Sequence, residues 1–353
     1  MLTMTVQLFS FLRSALWQSQ EDLPMELDEK ETSSLLALAE QQTVIGLIAD
    51  ALIRYQVKLP KEYAFRVVGL TAQIRQASLQ VTEELKSFVK LPLMDYAVVK
   101  GQTVAALYPE PLLRMSGDID ILVRDYPSAR AVLKKHWYIE LPERLIDKET
   151  AFSHNGVPYD IHTSLKEFGC RSHQRYWQEL MTRDLILTEV DGASVPTLGP
   201  SVYAVYIFVH LFSHFIREGV GLRQLCDWAV VLHHYRDGID ADELVSMLSR
   251  LGFLKAYRAF GCILADQIGL PIFPIELTER DRRWSDKILA DILQGGNFGH
   301  CSRKQRQSGW RYKVETLRLT VRKILRYWPL APSELTMMIP RLVLLNLRLL
   351  LHK

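Results

Sequence analysis

The sequence predicts an α+β protein: a small mixed sheet over residues 91–199, flanked by a helical region at 1–90 and another at 200–353. Three observations predict it. Apolar residues recur at helical spacing before residue 90 and again after Pro200. Between Asp95 and about Leu198 the pattern breaks into short extended runs separated by glycine turns. Two of those turns, Asn155-Gly156 and Asp191-Gly192, are two-residue hairpin signals, because a type I′ turn needs positive φ at both central positions.

In the first region, Leu8, Leu12 and Leu16 form one apolar stripe. Leu35, Leu38, Ile45, Ile48 and Leu52 form a second. A third helix is expected over Ala64–Val89, after the break at Leu59-Pro60. These helices read as a cap on the central region. That region opens on a strand, Tyr96–Lys100, a turn at Gly101 and a short helix, Gln102–Tyr108. A loop stiffened by Pro109 and Pro111 then leads into a strand, Asp118–Val123. Pro127–Trp137 reads as a helix with proline in its first turn. Extended runs around Asn155-Gly156 come next, the second being Val157–Thr163, and Pro158 in it points to a strand start or edge. A last extended pair, Leu185–Val190 and Ala193–Pro196, surrounds Asp191-Gly192. Beyond Pro200, helices are expected at Val202–Arg217, Leu222–Tyr235, Ala241–Leu251, Leu254–Ile268, Arg282–Gln294, within Tyr312–Tyr327, and at Pro332–Leu351.

Composition narrows the function classes. The 353 residues are 48% hydrophobic and 24% charged, which is globular, and long enough for more than one packed unit. A net charge of +3 does not announce a nucleic-acid binder. The four cysteines (Cys170, Cys226, Cys262, Cys301) lie far apart with no CxxC pair. That argues against a disulfide framework or a structural zinc site and for a reducing compartment. No signal peptide is legible at the start, and the most apolar stretches, Val202–Phe215 and Met337–Leu351, fall short of a membrane span. The expectation is a cytoplasmic protein. Peripheral contact with a membrane or partner through the apolar C-terminal stretch stays open, with core packing the default.

The chemistry concentrates between Tyr96 and Asp120. Asp118 and Asp120 stand two apart at the head of a strand, so both point to one side. Two carboxylates aimed together, beside a glycine turn that opens a helix, suit a divalent metal that holds phosphates. Asp160 is the best third carboxylate, since its strand can lie beside the Asp118–Val123 strand. Lys100 adds a point charge beside the turn, and Gly101 lets backbone approach a phosphate. His162 shares the strand face of Asp160, as a base or ligand, or as a group orienting Asp160 by hydrogen bonding.

These residues resemble a family. KGQTVAALYPEPLLRMSGDIDILV, followed by PYDIHTSL and HLFSHFIREGVGLRQLCDWAVVL, is similar to the uncharacterised bacterial nucleotidyltransferases of the polymerase-β-like superfamily, over about residues 30–300. The resemblance implies a polymerase-β-like core. It also implies Mg²⁺ (or Mn²⁺) on Asp118, Asp120 and Asp160, and a nucleoside triphosphate held around Lys100, Gly101 and Gln102. Arg114 would contact phosphate. The superfamily's usual glycine-serine pair is Gly101-Gln102 here, so one hydroxyl contact is missing.

His210 and His214 stand four apart on a helix, but the glutamate of H-E-x-x-H is absent, which leaves them to line the nucleotide cleft or to pack. Residues 295–299, GGNFG, read as a helix stop rather than a phosphate loop. Residues 303–326 are basic with interleaved Trp310 and Tyr312, and a solvated helix face is the simpler reading than nucleic-acid contact. The expected reaction is transfer of a nucleoside monophosphate to a hydroxyl of an unidentified acceptor. Kinase-like phosphoryl transfer and a silent nucleotide-binding module are the alternatives.

Overall fold

The computed structural model describes residues 2–19, 23–145, 148–183, 185–296 and 310–339. Four helices come first: α1 (Leu2–Trp17), α2 (Glu29–Gln41), α3 (Ile45–Arg54) and α4 (Lys61–Val89). The sequence explains where they begin. Asp28 and Glu31 cap α2 reciprocally, the Asp28 side chain accepting from Glu31 N–H and the Glu31 side chain from Asp28 N–H. Pro60 sits at the N-cap of α4, which therefore starts earlier than the expected Ala64, because proline suits a helix's first turn.

The central elements are β1 (Tyr96–Val98), α5 (Gln102–Ala105), β2 (Ile119–Val123), α6 (Tyr126–Trp137), β3 (Glu149–His154), β4 (Val157–His162), α7 (Arg171–Met181), β5 (Leu185–Val190) and β6 (Ala193–Leu198). β1 and α5 are shorter than expected. The α+β class holds. The sheet order is β1-β2-β4-β3, with β2 and β4 parallel and both outer pairs antiparallel. Both hairpin turns form where the sequence puts them, with φ +48° and +79° at Asn155-Gly156 and +48° and +77° at Asp191-Gly192. Helix α7 had no sequence expectation. It is strongly amphipathic, burying Tyr176, Trp177, Leu180 and Met181 beneath a polar outer face.

The sheet is two-faced. Tyr96, Val98, Ile119, Ile121, Val157, Tyr159 and Ile161 point into one core with α4 and α6. Each apolar side chain of this kind contributes roughly 1.5–3 kcal/mol on burial. That anchors strands whose opposite face carries mutually repelling carboxylates.

The last helices are α8 (Pro200–Arg217), α9 (Leu222–His234), α10 (Ala241–Arg250), α11 (Leu254–Ile263), α12 (Glu279–Gly295) and α13 (Trp310–Tyr327). A wider π turn over Leu264–Ile268 ends the α11 segment, and Gly296 at φ +63° stops α12. The N-terminal helices do not merely cap the sheet. They share one apolar core with α8–α12, and cross-contacts fasten them: Trp17 Nε1 donates to Ile268 O at 2.7 Å, and Gln41 Nε2 to Leu293 O at 3.1 Å. Among the described residues no helix is long and apolar enough to cross a membrane. The apolar stretch from residue 340, the 303–309 part of the basic segment and Cys301 lie outside the described residues, as do the side chains of Trp310 and Tyr312.

Candidate active site

The site is built by the β2–β4 pairing. In this parallel pair Asp120 lies directly across from Asp160, so the two side chains rise from one face as immediate neighbours. Asp118, two residues ahead of Asp120, joins them on that face, half-buried and within hydrogen-bonding reach of Asp160. The Asp160 carboxyl is pushed up to about 6, first by burial, then by the charges of Asp118 and Asp120.

Asp120 is 2% exposed and is held in the opposite state. Burial alone would raise its pKa. The Lys100 ammonium, with the hydrogen bond and charge of His162, outweighs that and holds it below the usual carboxylate range. Lys100 Nζ lies 2.9 Å and His162 Nε2 3.0 Å from the same oxygen, Asp120 Oδ1. The other ring nitrogen of His162 faces Glu149 at 3.4 Å. Gly101 follows Lys100 at φ +64°, and a Cβ there would meet Asp118 O at 3.0 Å. Only glycine tolerates both conditions, so Gly101 is what lets the turn close against the backbone of the acidic pair.

These groups line a cavity of about 350 Å³. Its far wall comes from α8 and α9 and from the loop before β2. There Arg114 makes a two-pronged ion pair with Asp227, Nε to Oδ1 at 2.6 Å and Nη2 to Oδ2 at 2.7 Å, and Tyr108 donates to Oδ1 at 2.7 Å. Burial would raise the Asp227 carboxyl, but Arg114 keeps it low. Arg223 donates to Met115 O at 2.9 Å. His210 and His214 also line the cavity, their rings 4.4 Å apart. Burial, then Lys100, hold His210 well below the usual imidazole range, so it is neutral and accepts from Lys100 at 3.4 Å.

Of the residues singled out in the sequence, Lys100, Gly101, Arg114, Asp118, Asp120, Asp160, His162, His210 and His214 all meet at this cavity. Two behave differently from expectation. The Gln102 side chain is buried away from the cavity, donating to Thr82 Oγ1 at 2.8 Å and accepting from Ser116 Oγ at 2.9 Å. The amide thus ties α4 to the loop that delivers Asp118, and the one-turn length of α5 gives little dipole for a phosphate. Arg114 presents its bidentate edge to Asp227 rather than outward. Sequence reasoning missed Glu149 and Tyr108. Glu149 was reachable by arithmetic: counting back from the two-residue turn at Asn155-Gly156 places it opposite His162.

Asp120, Asp160 and His162 each offer a ligand atom within 4.8 Å of the others. With Asp118 beside Asp160, the donors are mainly carboxylate oxygens, which fits a hard divalent cation better than zinc. Among the described residues His210 and His214 belong to no such cluster.

A family model described as uncharacterised nucleotidyltransferase matches residues 28–268. The chain belongs to that family. A search of curated proteins finds no match. One solved structure, an antigenic nucleotidyltransferase-like protein from Paracoccidioides brasiliensis, is similar at 14% identity, with 60% of this chain and 98% of that one covered. Its TM-score of 0.29 is too low to support an argument. The matched span of the nucleotidyltransferase family includes every residue named at the cavity, and ends before α12.

Proposed function

We propose that this nucleotidyltransferase-family chain transfers a nucleoside monophosphate from a nucleoside triphosphate to a hydroxyl of an acceptor, with Mg²⁺, or Mn²⁺ in its place. The observation that carries this reading is the register: Asp120 opposite Asp160, with Asp118 beside them, at a cavity in the usual ligand range of roughly 300–1,000 Å³. Asp118, Asp120 and Asp160 would hold the cation, which supplies neutralisation of the triphosphate charge and polarisation at phosphorus. The acceptor oxygen forms a bond to the α-phosphorus while the bond to the bridging oxygen of the β-phosphate breaks, and pyrophosphate leaves. The acceptor's proton would pass to the Asp160 carboxylate, which stands directly across from Asp120 in the parallel pair. His162 orients Asp120 by the bond to Oδ1.

The test is incubation with nucleoside triphosphates labelled at the α-phosphate and a panel of sugar, peptide, protein and RNA acceptors. Label on the acceptor with pyrophosphate released supports transfer. In a parallel set labelled at the γ-phosphate, label on the acceptor with none from the α-labelled set would mean a kinase. A second reading, a nucleotide-binding module without turnover, is favoured by one observation: Gln102, standing where a serine hydroxyl would contact phosphate, has its side chain tied to Thr82 and Ser116. Nucleotide binding with no transfer across the panel would select it.

A further inference from the structure

The ammonium of Lys100 is placed as a cation already paired with the proposed metal ligand. It is 2.9 Å from Asp120 Oδ1, while its remaining contact, His210 Nε2 at 3.4 Å, is long and made to a neutral ring. Asp120 is 2% exposed, so it needs a counter-charge in the free protein. Lys100 supplies it, on the same oxygen that His162 hydrogen-bonds. A divalent cation arriving alone must share that carboxylate with a full positive charge. Mg²⁺ also dehydrates reluctantly and normally binds through one or two carboxylates together with substrate phosphates. A triphosphate in the same cavity changes the balance, because it gives the lysine a stronger anionic partner. The Lys100 side chain is 19% exposed and lines that cavity, and its stem is flexible enough to follow.

We infer that Lys100 is a positioning residue that sets the order of binding: it occupies Asp120 until a nucleotide arrives, then moves to the phosphates and releases Asp120 to the metal. The inference rests on the proposed metal and nucleotide site, and makes the metal-free pocket a poor metal site by construction. A neighbouring charge at this separation moves a binding equilibrium of a small cation such as the proton by roughly one to three powers of ten. Lysine removal is therefore expected to act in opposite directions on the two ligands.

The experiment is calorimetric titration of the full chain and of Lys100→Met with Mn²⁺ alone, with a nucleoside triphosphate alone, and with the two together. Lys100→Met is expected to bind Mn²⁺ alone about tenfold or more tightly than the unmodified protein. It is also expected to bind the metal–nucleotide pair more weakly. Lys100→Arg, which keeps the charge, should retain the weak metal binding, and circular dichroism checks that both variants fold. Equal or weaker Mn²⁺ binding by a folded Lys100→Met overturns the inference, since a lysine that merely supports Asp120 would lose metal affinity when removed. If the unmodified protein binds metal and nucleotide together but Lys100→Met shows no gain for metal alone, the binding order fails and the proposed function stands. If neither protein takes up Mn²⁺ even with nucleotide present, both fail.

Discussion

The two walls of the cavity handle charge in opposite ways. On the far wall, Asp227 is matched by Arg114 through two short bonds, with Tyr108 on the same oxygen. On the sheet wall, Asp118, Asp120 and Asp160 crowd together with one lysine and one histidine, and burial, then the charges of Asp118 and Asp120, push Asp160 up to about 6. On the far wall the ion pair is matched in charge without a ligand, although Arg114 Nη1 and Arg223 Nε stay buried without a partner among the described residues; on the sheet wall the charges themselves are unmatched. A buried pair matched in charge holds elements together, here the loop before β2 and α9. A cluster of like charges kept at a cavity, against its own electrostatic cost, marks the place where a ligand contributes what the protein lacks.

Removing a charge from each wall should therefore do different things. Asp118→Asn or Asp120→Asn should lower nucleotidyl transfer by about 10²–10⁴-fold, read as label transferred per unit time, and Asp118→Asn, at a half-buried carboxylate beside two like charges, should change stability little. Arg114→Ala should act chiefly on the fold. It leaves Asp227 buried and unpaired, at a cost of about 3–5 kcal/mol in denaturant unfolding, and Arg114→Met with Asp227→Leu should recover much of that. Equal stability losses from Arg114→Ala and Asp118→Asn would erase the distinction between the walls.

Asp160→Asn sharpens it through pH. A carboxyl raised from 3.8 to about 6 binds its proton more tightly folded than unfolded. The metal-free protein should thus lose stability as pH rises from about 4 through about 6. Asp160→Asn should flatten that dependence and stabilise the metal-free protein by about 1–2 kcal/mol at neutral pH, measured by thermal melts across pH. The smallest effect is expected at the rim. Glu149 is 63% exposed where it faces His162, so Glu149→Gln should change stability by less than about 0.5 kcal/mol.

The sheet wall was legible in the sequence because its logic is local. Alternation fixes the face shared by Asp118 and Asp120, and the Asn155-Gly156 turn fixes the register of β4 well enough to nominate Asp160 and His162. The far wall was legible only in part. Arg114 and Asp227 are 113 residues apart, and nothing in either segment states that they meet. The same holds for Gln102, whose partners Ser78, Thr82 and Ser116 lie on two other segments. The family resemblance put Gln102 at the phosphates, while its side chain bonds to Thr82 and Ser116. The short α5 differs because its helical bonding lasts one turn: Leu107 N–H then donates to Val104 O and Tyr108 N–H to Ala105 O, turn bonds that lead the chain to Pro109. In the N-terminal region periodicity located the helices, while their joint core with α8–α12 needed three dimensions.

The most direct measurement is the affinity of a nucleoside triphosphate for the full chain with and without Mg²⁺, set beside the same pair of values for Asp120→Asn. Mg²⁺ should tighten nucleotide binding to the unmodified protein at least about tenfold, and most of this gain should disappear in the variant. Binding indifferent to Mg²⁺, or a gain equally large in Asp120→Asn, would contradict a metal held by the sheet wall.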